Sequence, residues 1–309
     1  MRGVRWKDTV FDICGCETCG VARTVPAPSP EMLETAHSPG VYRSAGGKRF
    51  LAPVESIVLL GRHLRKRRIR RYRAAGRILD VGCGRGLFLH VMRRAGWSVA
   101  GVESSQETAG EASAAYGVEV VAGDPPEWPF LPGSFDVVTL NHVLEHLPDP
   151  ADWIRACRRL LSPGGLLVVS VPNLGSLQAI VGNRDWFHLD VPRHLHHFTR
   201  RGLHALLERE GFRVLRTRDF DFEYNPFGWL QTLLNRCGIR RNLLYDLLKR
   251  RELRGADGEP LPIAGAAASL LLLPVAVPLA LLLSLAEAFL FRSGGTVEMI
   301  ARRGPADPA

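Results

Sequence analysis

Residues 77–86, Arg-Ile-Leu-Asp-Val-Gly-Cys-Gly-Arg-Gly, restrict the possible folds more than any other stretch of the chain. Ile78, Leu79 and Val81 read as a short buried strand. It runs directly into Gly82, Gly84 and Gly86 and then into an apolar-periodic helix over Leu87–Ala95. Glycines at a strand-to-helix turn let backbone approach a ligand with no Cβ in between, and the helix start offers free N–H groups. Spacing narrows the ligand. A dinucleotide site needs G-x-G-x-x-G, whereas the pattern here is D-x-G-x-G-x-G. Asp80, at the strand end, suits a cationic amino-acid group and would repel a pyrophosphate. Glu103 closes a second strand, Ser98–Val102, at about the 20-residue interval expected of a carboxylate that grips a ribose diol.

The strand-and-helix alternation continues. Val118–Ala122 reads as a third strand, ending in Gly123-Asp124, and Ser134–Leu140 as a fourth, followed by Asn141-His142-Val-Leu-Glu145-His146. A helix through Trp153–Leu161 leads to a fifth strand, Leu166–Val171. A further helix spans Thr199–Glu210. Gly211–Asp219 and Gly294–Arg303 supply the sixth and seventh strands. Such alternation predicts an α/β fold with a doubly wound sheet. Across roughly residues 75–220, these pieces resemble in order the class I S-adenosylmethionine-dependent methyltransferases, in the ubiquinone-biosynthesis-like (type 23 methyltransferase-domain) group. The resemblance implies a seven-stranded Rossmann-like sheet with an antiparallel edge strand and an apolar helical insertion between the last two strands. It also implies S-adenosyl-L-methionine as cofactor. Gly82, Gly84 and Gly86 would bracket its methionine part, Glu103 its ribose hydroxyls and Asp124 its adenine amino group. Asn141 would floor the pocket, and Asp80, Cys83 and Ser104 complete the cofactor-binding set.

At 309 residues the chain has room for one α/β domain and appendages. The spacing divides it into an N-terminal segment (1–50), a basic helical lead-in (51–74), a methyltransferase core (75–222), an amphipathic and apolar insertion (223–293) and a final edge strand with its tail (294–309). The formal net charge is +9, and much of it falls in Arg62–Arg73. Nucleic acid and anionic lipid both attract such a run, and a solvated helix face is the bland reading. Of the forty basic residues only Lys7, Lys48, Lys66 and Lys249 are lysines, a bias that suggests a GC-rich bacterial genome.

Leu261–Ala286 contains no charged side chain, which is enough length to cross a bilayer. Upstream, Phe227–Leu234, leucines at 243, 244, 247 and 248, and Lys249-Arg250-Arg251 have the make-up of an interfacial helix on the cytoplasmic face. A single crossing would strand the seventh strand beyond the membrane. Two crossings would need about 40 apolar residues, more than the insertion holds. Pro274 and Pro278 interrupt the run. The expectation is therefore a bent helical hairpin dipping into one leaflet, or else a buried lid or dimer interface; a true span ranks last.

Methyl transfer from a sulfonium needs alignment of the acceptor and, for a hydroxyl, a base. Histidine suits that role near neutral pH. Candidates are His142 and His146 after the fourth strand, and His188, His194, His196 and His197 after the fifth, with His146, His194 and His197 preferred. Glu145-His146 could instead hold a divalent metal, as the same pair does in some ubiquinone-pathway and small-RNA methyltransferases. The further Glu of the RNA enzymes is replaced here by His142. Cys14, Cys16 and Cys19 look like the second half of an N-terminal zinc ribbon, with the first pair missing and His37 as a conceivable fourth ligand. The N-terminal fifty residues otherwise show little periodicity.

The favoured reading is a bacterial methyltransferase that O-methylates a lipidic or lipid-linked acceptor. It would be cytoplasmic, peripherally or monotopically attached to the inner membrane through 226–292 and Arg62–Arg73. Alternatives are a soluble small-molecule or sugar methyltransferase whose insertion is a lid and, less favoured, a nucleic-acid methyltransferase.

Overall fold

The computed structural model describes residues 1–37, 50–248 and 262–304. Lys48, Lys249, Arg250, Arg251 and Leu261 lie outside them. Along the chain come β1 (Val4–Trp6), β2 (Thr9–Gly15), β3 (Val21–Val25), α1 (Pro30–His37) and α2 (Ala52–Arg70). The alternating region supplies β4 (Arg77–Val81), α3 (Leu87–Arg93), β5 (Ser98–Glu103), α4 (Gln106–Tyr116), β6 (Glu119–Ala122), β7 (Phe135–Asn141), α5 (Pro150–Leu160) and β8 (Leu161–Pro172). Then follow α6 (Leu177–Gly182), β9 (His196–Phe198), α7 (Arg200–Arg209), β10 (Phe212–Arg218), α8 (Asn225–Arg236), α9 (Leu243–Leu248), α10 (Ile263–Leu290) and β11 (Thr296–Arg303).

Two compact units share these elements. One draws on residues 58–171, 202–218 and 298 onward, the other on 1–57, 172–201 and 219–297. The first unit is built on a seven-stranded sheet ordered β10-β11-β8-β7-β4-β5-β6. Its order reverses between β4 and β7, which pair in parallel, as do β4–β5, β5–β6 and β7–β8. β10 forms the edge and β11 runs antiparallel to it. Ile78, Leu79, Val137, Val138 and Leu140 are all sealed from solvent. That burial explains why these strands read as near-continuous apolar runs instead of alternating. The helices between them carry their own signals. Ser105 caps α4 by accepting from the Thr108 N–H, and Gly117 closes it at φ 61°. Asp149 caps α5, with Pro150 in its first turn.

In the second unit a four-stranded sheet, β1-β2-β3-β9, is antiparallel throughout. Phe11, Ile13 and Ala22 from it pack with Trp186, Leu189 and Val191. This hairpin pair occupies the segment whose sequence showed little periodicity. Its strands β1, β2 and β3 have only 3, 7 and 5 residues, too few for a periodic pattern to stand out.

The insertion differs from expectation. Ile263–Leu290 is one continuous 28-residue helix, about 42 Å long at 1.5 Å per residue, and not a bent hairpin. An interior proline loses its own hydrogen bond and crowds the carbonyl four residues back, yet it keeps a helical φ, and the segment between Pro274 and Pro278 offers no turn-forming residue. A stripe of Ser269, Ala276, Ala280, Ser284 and Glu287 is buried, and α10 packs along α8. The ends of the insertion close on each other. The Asn225 side-chain amide donates to the Asp219 carbonyl at 2.8 Å, and a Cβ on Gly294 would stand 1.7 Å from that same oxygen.

Candidate cofactor and active site

In open α/β sheets ligands bind beyond the carboxyl ends of the strands where the order reverses. Here that point is the β4/β7 pair, and the first unit assembles its candidate residues there. Gly82, Gly84 and Gly86 have φ of 69°, 54° and 74°, a region costly for residues with a side chain. Their reasons differ. A Cβ on Gly82 would strike Val143 Cγ2 at 2.3 Å, so Gly82 serves packing. A Cβ on Gly84 would meet nothing within 4 Å, so Gly84 leaves open an approach for a ligand. The turn is tied to β5 by the Gly82 and Cys83 N–H groups, which donate to the Val102 carbonyl at 2.8 and 3.1 Å.

Glu103, at the end of β5, is held beside that turn. Its carboxylate accepts from the Gly84 N–H at 2.8 Å and from the Ser104 N–H and hydroxyl at 3.1 and 3.2 Å. Asp80 is buried under the turn and accepts from the Thr139 hydroxyl. Burial pushes its carboxyl up to about 6, against the pull of the Thr139 hydrogen bond, Arg65 and Arg62. Burial likewise raises the Cys83 thiol, with Asp80 and Glu103 adding to it, so it remains a neutral packing group. Asp124 follows β6 in an exposed position, and Asn141 ends β7 half-buried.

The basic lead-in is partly interior. Arg65 is buried with its guanidinium 5.2 Å from the Phe88 ring centre. Arg68 pairs with Glu298 at 2.9 Å and Arg73 with Asp136 at 2.6 Å. Arg67, Arg70 and Arg71 remain exposed.

Immediately after β7, His142 adopts φ 53° and brings Nδ1 to 3.3 Å from the buried Glu145 carboxylate. That distance sets a carboxylate beside an imidazole, the pair of groups a general base uses. Glu145 also has His146 within reach, with ligand atoms of the two within 4.8 Å of one another, as a shared metal site requires. The His-x-x-Glu spacing is the sequence signal for the His142–Glu145 pairing, because the turn after β7 brings residues three apart together. His146 is half-buried in that turn.

In the second unit, His188, His194, His196 and His197 are all buried. His197 sits in β9, with Nε2 3.0 Å from the Thr24 hydroxyl, and burial drives its pKa down to about 3. An imidazole that weakly basic is a poor acceptor near neutral pH, and His197 pairs with Ala22 in the β3–β9 ladder. His194 Nε2 lies 3.9 Å from Asp190, and its carbonyl accepts from the Thr24 hydroxyl at 2.6 Å. Cys14 and Cys16 are exposed, and Cys19 is half-buried. The backbone N–H of Cys19 holds the Cys16 thiol below its ordinary pKa. His37 is engaged with the Leu33 carbonyl at 2.8 Å.

A family model described as "Methyltransferase domain" matches residues 59–217. A ubiquinone biosynthesis O-methyltransferase of Ralstonia nicotianae is 36% identical over 137 residues, 41% of this chain and 57% of that protein. The chain thus spans little more than half the length of that relative. A ubiquinone biosynthesis O-methyltransferase of Thiobacillus denitrificans is 34% identical over 58% of this chain and 80% of its own length. Among solved structures, the [4+2]-cyclase SpnF superposes with a TM-score of 0.53 at 19% identity, covering 90% of this chain and 97% of that one. At such identity the likeness concerns the fold alone.

Proposed function

The chain belongs to the methyltransferase-domain family, and from that premise we propose that it O-methylates a lipidic or lipid-linked acceptor at the cytoplasmic face of the membrane. S-adenosylmethionine is the cofactor of its methyltransferase domain, and the open approach at Gly84 beside the anchored Glu103 fits that group. When bound, it supplies a methyl group on a sulfonium. The remaining work falls to the chain. Glu103 and Asp124 would hold the nucleoside end, Asp80 would favour the cationic amino-acid end, and Asn141 would close the floor. For a hydroxyl acceptor a base is required, and His142, oriented by Glu145, is the candidate with the best geometry; His146 is the second. Alanine at His142 is expected to lower kcat by roughly 10²–10⁴ while calorimetric cofactor affinity stays the same.

The bare face of α10 carries the lipid reading. Leu271, Val275 and Phe289 are 80%, 70% and 75% exposed, along a helix long and apolar enough to cross a membrane by length and composition. Soluble monomers rarely expose contiguous apolar surface of this extent. With the ends of the insertion closed on each other, a helix lying in one leaflet suits the connectivity better than a crossing. The ubiquinone-pathway relatives favour oxygen as the acceptor atom.

The deciding experiment incubates the purified protein with radiolabelled cofactor and a bacterial extract, then partitions it between chloroform–methanol and water. Label in the organic phase is the expected result. Label confined to water would overturn the lipid acceptor and favour a sugar or small-molecule substrate with α10 as a lid.

A further inference from the structure

A recess of about 310 Å³ in the second unit is lined by Gly3, Val4, Arg5, Arg184, Asp185 and Arg241. That volume falls in the range of small-molecule sites, about 300 Å³ and above. Its walls are braced. The buried Asn235 side chain donates to the Asp185 carbonyl at 2.9 Å and accepts from the Asn242 N–H at 2.9 Å. One residue thus locks the segment carrying Arg184 and Asp185 to the turn carrying Arg241.

The charges around the recess do not balance. Asp185 is paired with Arg236 at 3.4 Å and Asp190 with Arg193. Arg5, Arg184 and Arg241 then face the recess with no further carboxylate among its lining residues. Arg241 is the most telling. Its Nε and Nη2 are shut off from solvent, and among the described residues neither has a hydrogen-bond partner. Burial depresses its pKa against the opposing pull of Asp190 and Asp185, with a smaller lowering from Arg193. Leaving buried donors of a charged group unpaired forfeits their solvation, a loss that an anionic ligand would offset.

We infer that the recess formed by Arg5, Arg184 and Arg241 binds a phosphate or diphosphate group. Guanidinium forks match phosphate oxygens in pairs, and three of them exceed what a single carboxylate can satisfy. The location suggests where the phosphate comes from. Arg241 stands two residues before Leu243, whose side chain packs against Gly265 in the first turn of α10. A phosphate on a lipid headgroup would meet this recess while the acyl chains meet the apolar helix. A soluble phosphoester offers the same chemistry without the helix. The recess is read from its own geometry and does not depend on the reaction proposed above.

The test uses the full chain, with Arg241→Gln and, should that variant fold poorly, the surface-side pair Arg5→Gln/Arg184→Gln. Inorganic pyrophosphate is titrated calorimetrically, and sedimentation is measured with phosphatidylcholine vesicles containing or lacking phosphatidic acid. Either ligand is expected to bind the parent chain at least tenfold more tightly than the variants, with S-adenosylmethionine affinity unchanged as a control for folding. Variant-sensitive binding of both pyrophosphate and vesicles, or of pyrophosphate alone, identifies a soluble-accessible phosphate site. Variant-sensitive binding of phosphatidic acid vesicles alone identifies a headgroup site. If binding of both probes is insensitive to these arginines, the inference is wrong, whatever the outcome of the methylation assay.

Discussion

We propose that Gly84, Glu103 and Asp80 divide the cofactor site into conformational, hydrogen-bonding and electrostatic roles, and each can be tested separately. Gly84→Val combines a strained φ of 54° with a side chain pointed into the open approach. It is expected to abolish cofactor binding by calorimetry while circular dichroism shows an intact fold. Glu103→Ala removes the acceptor of the Gly84 and Ser104 bonds and should weaken cofactor binding by about 1–3 kcal/mol, the usual worth of a charge-assisted hydrogen bond. Asp80 makes a pH prediction. Its carboxyl is raised by burial to about 6 from an ordinary 3.8, so the native state holds this proton more tightly than the unfolded chain does. Its contribution to stability is therefore full below about pH 4 and lost as pH rises to about 6. Cofactor binding runs the other way, because only ionised Asp80 attracts a cation. Affinity should fall as pH drops below 6, with proton release on binding measurable in buffers of different ionisation heat.

At the scale of elements, α10 shows how one polar residue can decide the fate of an apolar helix. Glu287 is fully buried, accepting from the Trp229 indole at 2.8 Å and from the Gln178 N–H at 3.2 Å. Gln178 in turn accepts from the Trp186 indole at 2.9 Å. The network fastens the last turns of α10 to α8 and α6. Glu287→Ala strands two buried donors, so a loss of about 2–4 kcal/mol is expected in urea unfolding. Glu287→Gln should be far milder. Burial raises the Glu287 carboxyl, so its contribution fades as pH rises through the shifted value, and the Gln variant should lack that slope. Hydropathy alone made residues 261–286 a uniform apolar run. It held no sign that Ser269, Ala276, Ala280 and Ser284 would turn inward and the leucines outward. Small residues let helices approach closely, and which of them do so depends on the partner α8.

For the molecule as a whole, the membrane reading and the folding of the second unit make opposite demands on the insertion. Replacing Leu271, Val275, Leu282 and Phe289 by glutamine touches only exposed positions. Vesicle sedimentation should drop several-fold with cofactor affinity unchanged; unchanged sedimentation would return α10 to the role of a lid. Deleting residues 226–292 is a different experiment. It removes Trp229 and Glu287 from the buried network, and the shortened chain is expected to aggregate instead of yielding a trimmed soluble enzyme.

The sequence by itself determined the alternating sheet and the glycine turn after β4. Both rest on local signals: glycines at positive φ, apolar strands buried on both faces, caps at helix starts, and a carboxylate one strand along from the glycine turn. Tertiary structure alone decided which distant groups meet. The burial of Arg65 within an apparently solvated run and the inward stripe of α10 depend on partners far along the chain. So does the second unit, assembled from three separate stretches. Hydrogen bonds between groups 170 and 173 residues apart, such as Thr24 with His194 and His197, leave no periodic trace in a sequence. They exist only once the chain has closed on itself.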